Sequence, residues 1–264
     1  MTGRIYCVKH VEDEGPGLIG EFFRDLGVEV VELNLQRGDR LPESLESTAG
    51  VVVLGGPMNV YEEEEYPFLK EEGLFIKQVL REEVPFLGIC LGGQLLAKAC
   101  GGAVTKSPHK EIGWYEVDLT REGRRDSLFR GLPATLSVFQ WHGDTFAVPS
   151  GGILLATGKL CRNQAFRMGS CAYGLQFHAE VTADMVKGWM DKEGPSIDGG
   201  RILEEGARLY DAFVAQGRSI LANFRRVMES FMRVKRTLGL FVDAQKNRPI
   251  QLWWSLEKRT LLAR

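Results

Sequence analysis

Cys90 stands between two glycines in Gly88-Ile89-Cys90-Leu91-Gly92-Gly93-Gln94, after the apolar run Val84-Pro85-Phe86-Leu87 and before the helix-forming Leu95-Leu96-Ala97-Lys98-Ala99. A strand that turns sharply into a helix holds the middle residue of G-x-C-x-G in a strained, exposed position, and the glycines let substrate and neighbouring backbone come close. The helix N-terminus favours a thiolate, and the Leu91 amide faces any oxyanion formed beside the sulfur. Taken alone the motif is weak, because the five cysteines of the chain have the buried small hydrophobe as their default role.

A thiol nucleophile needs a base, and the base needs an orienting group; both can lie far away in sequence. Tyr173-Gly174-Leu175-Gln176-Phe177-His178-Ala179-Glu180 offers the pair. At the end of an extended strand His178 and Glu180 project to one face, so that the carboxylate fixes the imidazole tautomer while the other ring nitrogen faces Cys90. In isolation the same residues read equally well as a strand-end histidine bridged to its neighbour. Beside the elbow, the nucleophile, base and orienter reading is favoured. Gly55-Gly56-Pro57-Met58 follows the apolar strand Val51-Val52-Val53-Leu54. Alone it is an ordinary turn. In an open parallel sheet, however, the loops at the carboxyl ends of strands gather at one edge, so the Gly56 amide becomes a second oxyanion donor beside Leu91. Gln140-Trp141-His142-Gly143-Asp144 closes another strand and forms a further wall of the pocket.

The elements that must position these residues alternate. Strands are expected over 4–9, 28–33, 51–54 and 85–89, with helices over 17–26, 67–81 and 91–99 between them. That alternation requires crossover connections and a parallel sheet with helices on both faces. The middle of the chain turns strand-rich, over 112–119, 135–141, 153–156, 164–167 and 172–177, and tight turns such as Arg167-Met168-Gly169-Ser170 point to antiparallel additions at the sheet edge. The expected class is therefore α/β, an open, mostly parallel sheet flanked by helices, with antiparallel edge strands.

Composition narrows the function further. A chain of 264 residues, 44% hydrophobic, buries a substantial core as one large domain with some decoration. A formal net charge of −2 gives no case for nucleic acid or an acidic membrane as partner. The apolar start is broken by Lys9 and His10, and no apolar run approaches the roughly 20 residues of a membrane helix. An odd cysteine count without a C-x-x-C pair, and only four histidines, argue against a disulfide framework or structural zinc. The expectation is a reducing cytoplasm. Neither a phosphate loop nor a dinucleotide fingerprint is found, so no cofactor is expected. Glu62-Glu63-Glu64-Glu65 reads as a solvated helix-entry loop, and Cys7, Cys100, Cys161 and Cys171 read as structural.

From residue 201 to about 236 the spacing of Ile202, Leu209, Phe213, Ile220, Phe224, Met228 and Phe231 predicts one or two amphipathic helices, interrupted near Gly217. Residues 218–264 hold eleven lysines and arginines against three carboxylates. With Leu252, Trp253, Trp254 and Leu256, this basic tail is expected to dock on the domain, on a second copy in a homo-oligomer, or on a partner. The division expected is a catalytic domain over 1–195 and a helical extension with its tail over 196–264.

Taken in order, Gly55 to Met58, Gly88 to Gln94, Glu111-Ile112-Gly113-Trp114, Trp141-His142-Gly143-Asp144, Asn163-Gln164-Ala165-Phe166 and Gly174 to Thr182 resemble the class I glutamine amidotransferases, most of all free-standing proteins similar to the amidotransferase part of GMP synthase. The likeness covers about residues 4–190, and that many ordered motifs are far more specific than any one of them. It implies a flavodoxin-like fold and a Cys90, His178 and Glu180 triad that hydrolyses the γ-glutamyl amide of glutamine or a related compound, with no metal. It also implies that Gln94 and main-chain groups near Trp141, His142 and Gly143 grip the glutamine-like part of the substrate. Glu12 to Gly17 resembles a rim loop of such proteins. The remainder of the chain contains no serine-glycine-glycine pyrophosphate loop. A self-sufficient hydrolase therefore competes with a subunit that passes ammonia to a separate synthetase, and with a regulatory module that kept the fold.

Overall fold

The computed structural model describes residues 3–244, with side chains as far as residue 237. Its elements are β1 (Arg4–Lys9), α1 (Gly17–Asp25), β2 (Val30–Asn34), β3 (Thr48–Val53), α2 (Phe68–Arg81), β4 (Phe86–Ile89), α3 (Leu91–Ala99), β5 (Val104–Leu119), β6 (Thr135–Phe146), β7 (Ile153–Gly158), β8 (Asn163–Met168), β9 (Ala172–Leu175), α4 (Ala183–Glu193) and α5 (Gly199–Ala244). Among the described residues the nine strands form one sheet in the order β2-β1-β3-β4-β9-β8-β7-β5-β6. β2, β1, β3, β4 and β9 run parallel, and β8, β7, β5 and β6 add antiparallel at one edge. This is the α/β class the sequence predicts.

The central parallel strands β3, β4 and β9 are buried throughout, as a sheet covered on both faces requires, while β1 and the edge strand β2 carry charged residues such as Arg4 and Glu32. α3 is set directly on this sheet by two glycines. A Cβ on Gly92 would stand 2.2 Å from the Val53 carbonyl oxygen, and one on Gly93 would stand 2.7 Å from that of Leu175. Only hydrogen at these positions lets the helix start where β3 and β9 end.

Three differences from the expectation have local causes. β5 begins at Val104, not 112, because Val104 to Lys106 pair with Asp144 to Phe146 beyond a register shift between Lys106 and Glu111. The stretch Thr105 to Lys110 is mostly polar and exposed, so no alternation betrays it. β9 stops at Leu175, and the chain then crosses toward β6, where the His178 amide donates to the Phe139 carbonyl at 2.9 Å. Gly217 does not interrupt α5. It lies inside a single helix, where a Cβ would meet the Ala179 carbonyl oxygen at 2.6 Å, so glycine there marks a close approach to the segment carrying His178 and Glu180.

Residues up to Glu229 form one compact unit, and a second begins at Ser230. Within the first, Ile202, Phe213, Ile220, Leu221, Phe224 and Met228 of α5 are buried in the core. Asn223 also donates to the carbonyls of Leu128 and Arg130 at 2.9 and 2.8 Å. The docking expected of residues 245–264, including Trp253 and Trp254, lies outside the described residues.

Candidate active site

The loops after β1, β3 and β4, the outer part of the β5–β6 pair and the segment after β9 meet around an open cleft of about 820 Å³. Cys90 lies at its floor between β4 and α3, with φ 50° and ψ −106°. This is a left-handed conformation that a side chain rarely adopts, and it costs on the order of 1–3 kcal/mol. The surroundings enforce it: the Cys90 amide donates to Leu175 O at 2.8 Å, and the Gly92 amide donates to Leu54 O at 3.2 Å. Gly88 permits the turn, since a Cβ there would stand 2.4 Å from Gly92 O. Leu91 is the first helical residue, so its amide has no carbonyl one turn back to serve.

His178 and Glu180 come to the same place. His178 Nδ1 lies 2.7 Å from Glu180 Oε1, and Glu180 Oε2 accepts from the Ala179 amide at 2.9 Å. Both side chains are buried. His178 is held well above the ordinary histidine pKa: burial opposes the charge, but the Glu180 carboxylate, its hydrogen bond and the adjacent Cys90 sulfur outweigh that cost. The Cys90 sulfur is close enough to act on His178 electrostatically, yet buried Nε2 has no hydrogen-bonded partner in the resting site. Catalytic contacts of this kind commonly tighten only when substrate is bound. Trp189 of α4 packs on the His178 ring in a T-shaped arrangement, with centroids 4.9 Å apart.

Gly55 and Gly56 line the nucleophile side. A Cβ on Gly55 would stand 3.1 Å from His178 Cε1 and 3.7 Å from Cys90 Cβ. Gln94 is buried, and its amide donates to Asp144 O at 3.1 Å and Gln176 Oε1 at 3.3 Å, leaving its carbonyl edge for the cleft. Trp141, His142 and Gly143 form the opposite wall, with the Trp141 carbonyl 3.9 Å from the Cys90 sulfur. His142 is spent on protein partners, Asp144 O at 2.9 Å and Glu111 Oε2 at 3.0 Å. Glu111, His142 and Cys161 offer ligand atoms within 4.8 Å of one another. Glu111 already accepts from His142, Gln164 and the Cys161 amide, so the group reads as a hydrogen-bonded hub under the β5–β6 wall.

The structure also brings in residues that the sequence did not single out as site residues. Glu14, from the rim loop, reaches the cleft beside Gly55, its carboxyl pKa raised by burial against the lowering pull of His178 and His10. Lys106 and Lys110 enter from the unforeseen part of β5, and Trp189 from α4. Only the rim loop had a local signal; the others depend on strand register and helix docking.

Comparison with known proteins gives the same outline. Residues 18–188 match the family model described as glutamine amidotransferase class-I. The chain is 33% identical over 188 residues to the glutamine amidotransferase-like protein YfeJ of Salmonella typhimurium, covering 70% of this chain and 79% of that protein. It is 34% identical over 166 residues to one of the subunits of the glutamine-hydrolyzing GMP synthase of Sulfolobus acidocaldarius, covering 62% of this chain and 82% of that one. A crystal structure of a glutamine amidotransferase from Thermotoga maritima superposes with a TM-score of 0.78 at 39% identity, over 85% of this chain and 99% of that one.

Proposed function

The chain belongs to the class I glutamine amidotransferase family, and from that premise we propose that it hydrolyses a γ-glutamyl amide, glutamine or a related compound, through Cys90, His178 and Glu180. The observation that carries the reading is the buried, charge-favouring His178, held by Glu180 on one nitrogen and turned toward the strained Cys90 on the other.

In this reading Cys90 gives its thiol proton to His178 Nε2, Sγ attacks the side-chain amide carbon, and the carbonyl electrons move onto oxygen. The Leu91 and Gly56 amides receive that oxyanion. His178 Nε2 gives its proton to the departing nitrogen, the C–N bond breaks, and ammonia leaves a γ-glutamyl thioester on Cys90. Water then attacks the thioester while His178 takes its proton, the C–S bond breaks, and His178 returns that proton to the Cys90 sulfur, releasing glutamate and restoring the thiol. Glu180 keeps Nδ1 protonated and the ring aligned through both halves. Gln94, with main-chain groups of Trp141, His142 and Gly143, holds the glutamyl part of the donor.

A second reading has a specific support: the Sulfolobus relative is named as a subunit of a synthase. On that reading ammonia passes to a separate synthetase, and the chain alone is slow. The discriminating experiment incubates the isolated chain with glutamine and a panel of γ-glutamyl amides and peptides and measures free glutamate, with Cys90→Ala as control. Turnover abolished in the control supports the self-sufficient hydrolase. Silence on all donors contradicts it in favour of partner dependence or a non-catalytic role.

A further inference from the structure

His10 follows β1 and is fully buried beneath the Gly55–Gly56 loop. Its Nδ1 lies 2.7 Å from the Gly55 carbonyl oxygen, and its Nε2 lies 2.9 Å from Glu72 Oε2 on α2. A carbonyl oxygen only accepts, so Nδ1 carries a proton and donates it. Glu72 is equally buried, and Phe68, one helical turn earlier, stacks on the ring with centroids 6.2 Å apart. The loop also leaves no slack, since a Cβ on Gly56 would stand 3.0 Å from His10 Cβ.

The Gly55 carbonyl and the Gly56 N–H are two ends of one peptide unit. Every peptide described is trans. In a planar trans unit C=O and N–H point in opposite directions, so a bond that ties the oxygen to His10 turns the Gly56 N–H away from His10, and Gly56 lines the cleft. We propose that the buried His10–Glu72 pair is a positioning device that locks this peptide with its N–H facing the Cys90 side, so that the oxyanion hole is set within this chain and needs no partner to form. The inference rests on the reading of Gly56 as an oxyanion donor. It selects the self-sufficient hydrolase from the two enzyme readings above. A protonated His10 agrees with the geometry: burial disfavours the charge, but the Glu72 carboxylate and the Gly55 carbonyl more than reverse the effect.

The test uses the full chain in steady-state hydrolysis of its best γ-glutamyl donor, together with the rate of Cys90 alkylation by iodoacetamide, a displacement at carbon that needs no oxyanion hole. The double variant His10→Leu/Glu72→Leu removes the pair without stranding a buried charge. It is expected to lower kcat on the order of a hundredfold, the scale of one lost oxyanion donor, while KM and the alkylation rate stay near wild type. A second comparison avoids large core changes. In a Glu72→Gln background, which leaves no buried carboxylate unpaired, His10→Asn places an amide nitrogen near the Nδ1 position and retains most of kcat, whereas His10→Gln places it near Nε2 and loses it. A double variant with wild-type kcat, or Asn and Gln variants that behave alike, overturns the positioning role. So does a parallel fall of kcat and alkylation, which marks collapse of the site. A wild type silent on every donor overturns the hydrolase reading and this inference with it; a wild type that turns over beside an equally active double variant overturns this inference alone.

Discussion

At Cys90 the conformation and the chemistry are one feature. The left-handed backbone, φ 50°, carries strain of about 1–3 kcal/mol that glycine would relieve. Cys90→Gly is therefore expected to melt above Cys90→Ala in a thermal denaturation series while both lack turnover; a Gly variant no more stable than Ala would mean that the elbow is not strained. Around His178 the charge arrangement predicts a pH signature. The groups facing it are Glu180, Cys90 and Glu14. Its folded-state pKa is raised, so the stabilisation from the His178–Glu180 pair is present in full below the ordinary histidine value of about 6.5 while Glu180 stays ionised, and is lost as pH rises through the raised value. The difference in Tm between wild type and Glu180→Gln should thus be largest in mild acid and shrink toward alkaline pH; a difference that grows with pH contradicts the pairing. In turnover, Glu180→Gln should lose less than His178→Ala, since orienting the base is secondary to supplying it. The meeting of Cys90, His178 and Glu180 was legible because the elbow is local in sequence and the second pair is two residues apart. His10 and Glu72 were not: they meet across 62 positions, and nothing in either local stretch names the other.

The elements hold the site by close approach more than by flexible contacts. α3 can start beside β3 only because Gly92 lacks a side chain, its absent Cβ lying 2.2 Å from Val53 O. Gly92→Ala must push the helix or the strand, and overpacking of this kind costs on the order of 1–3 kcal/mol. Chemical denaturation should show that loss together with reduced turnover, because the same shift moves Cys90. A variant with wild-type stability would mean that α3 is not seated as described. Alternation of apolar strands with amphipathic helices made β1 to β4 readable from residues 4–99, whereas β9, expected among the antiparallel edge strands, lies inside the sheet and pairs parallel with β4 and antiparallel with β8. The antiparallel half was readable only in its apolar stretches. Residues 104–110 carry Lys106, His109 and Lys110 in exposed strand, and their pairing is decided by the β5–β6 register, not by their own pattern. Gly217 misled for a related reason: a helical glycine reads as a break unless the opposing Ala179 carbonyl is in view.

For the whole chain, every residue assigned a role in the proposed reaction lies in the compact unit ending at Glu229. Deleting residues 245–264 is accordingly expected to leave turnover unchanged, as measured by glutamate release; a large loss would give the tail a part in catalysis. Among the described residues no helix is long and apolar enough to cross a membrane. In the proposed reaction Cys90 carries the glutamyl group from the first half to the second, and that covalent role is open to direct test. It is tested most directly by quenching the isolated protein in acid during turnover of its γ-glutamyl donor, then weighing the intact chain and mapping its peptides. A fraction of chains is expected to be heavier by one glutamyl group, located on the peptide that contains Cys90 and missing from Cys90→Ala. Turnover without that adduct, or an adduct that survives Cys90→Ala, would contradict it.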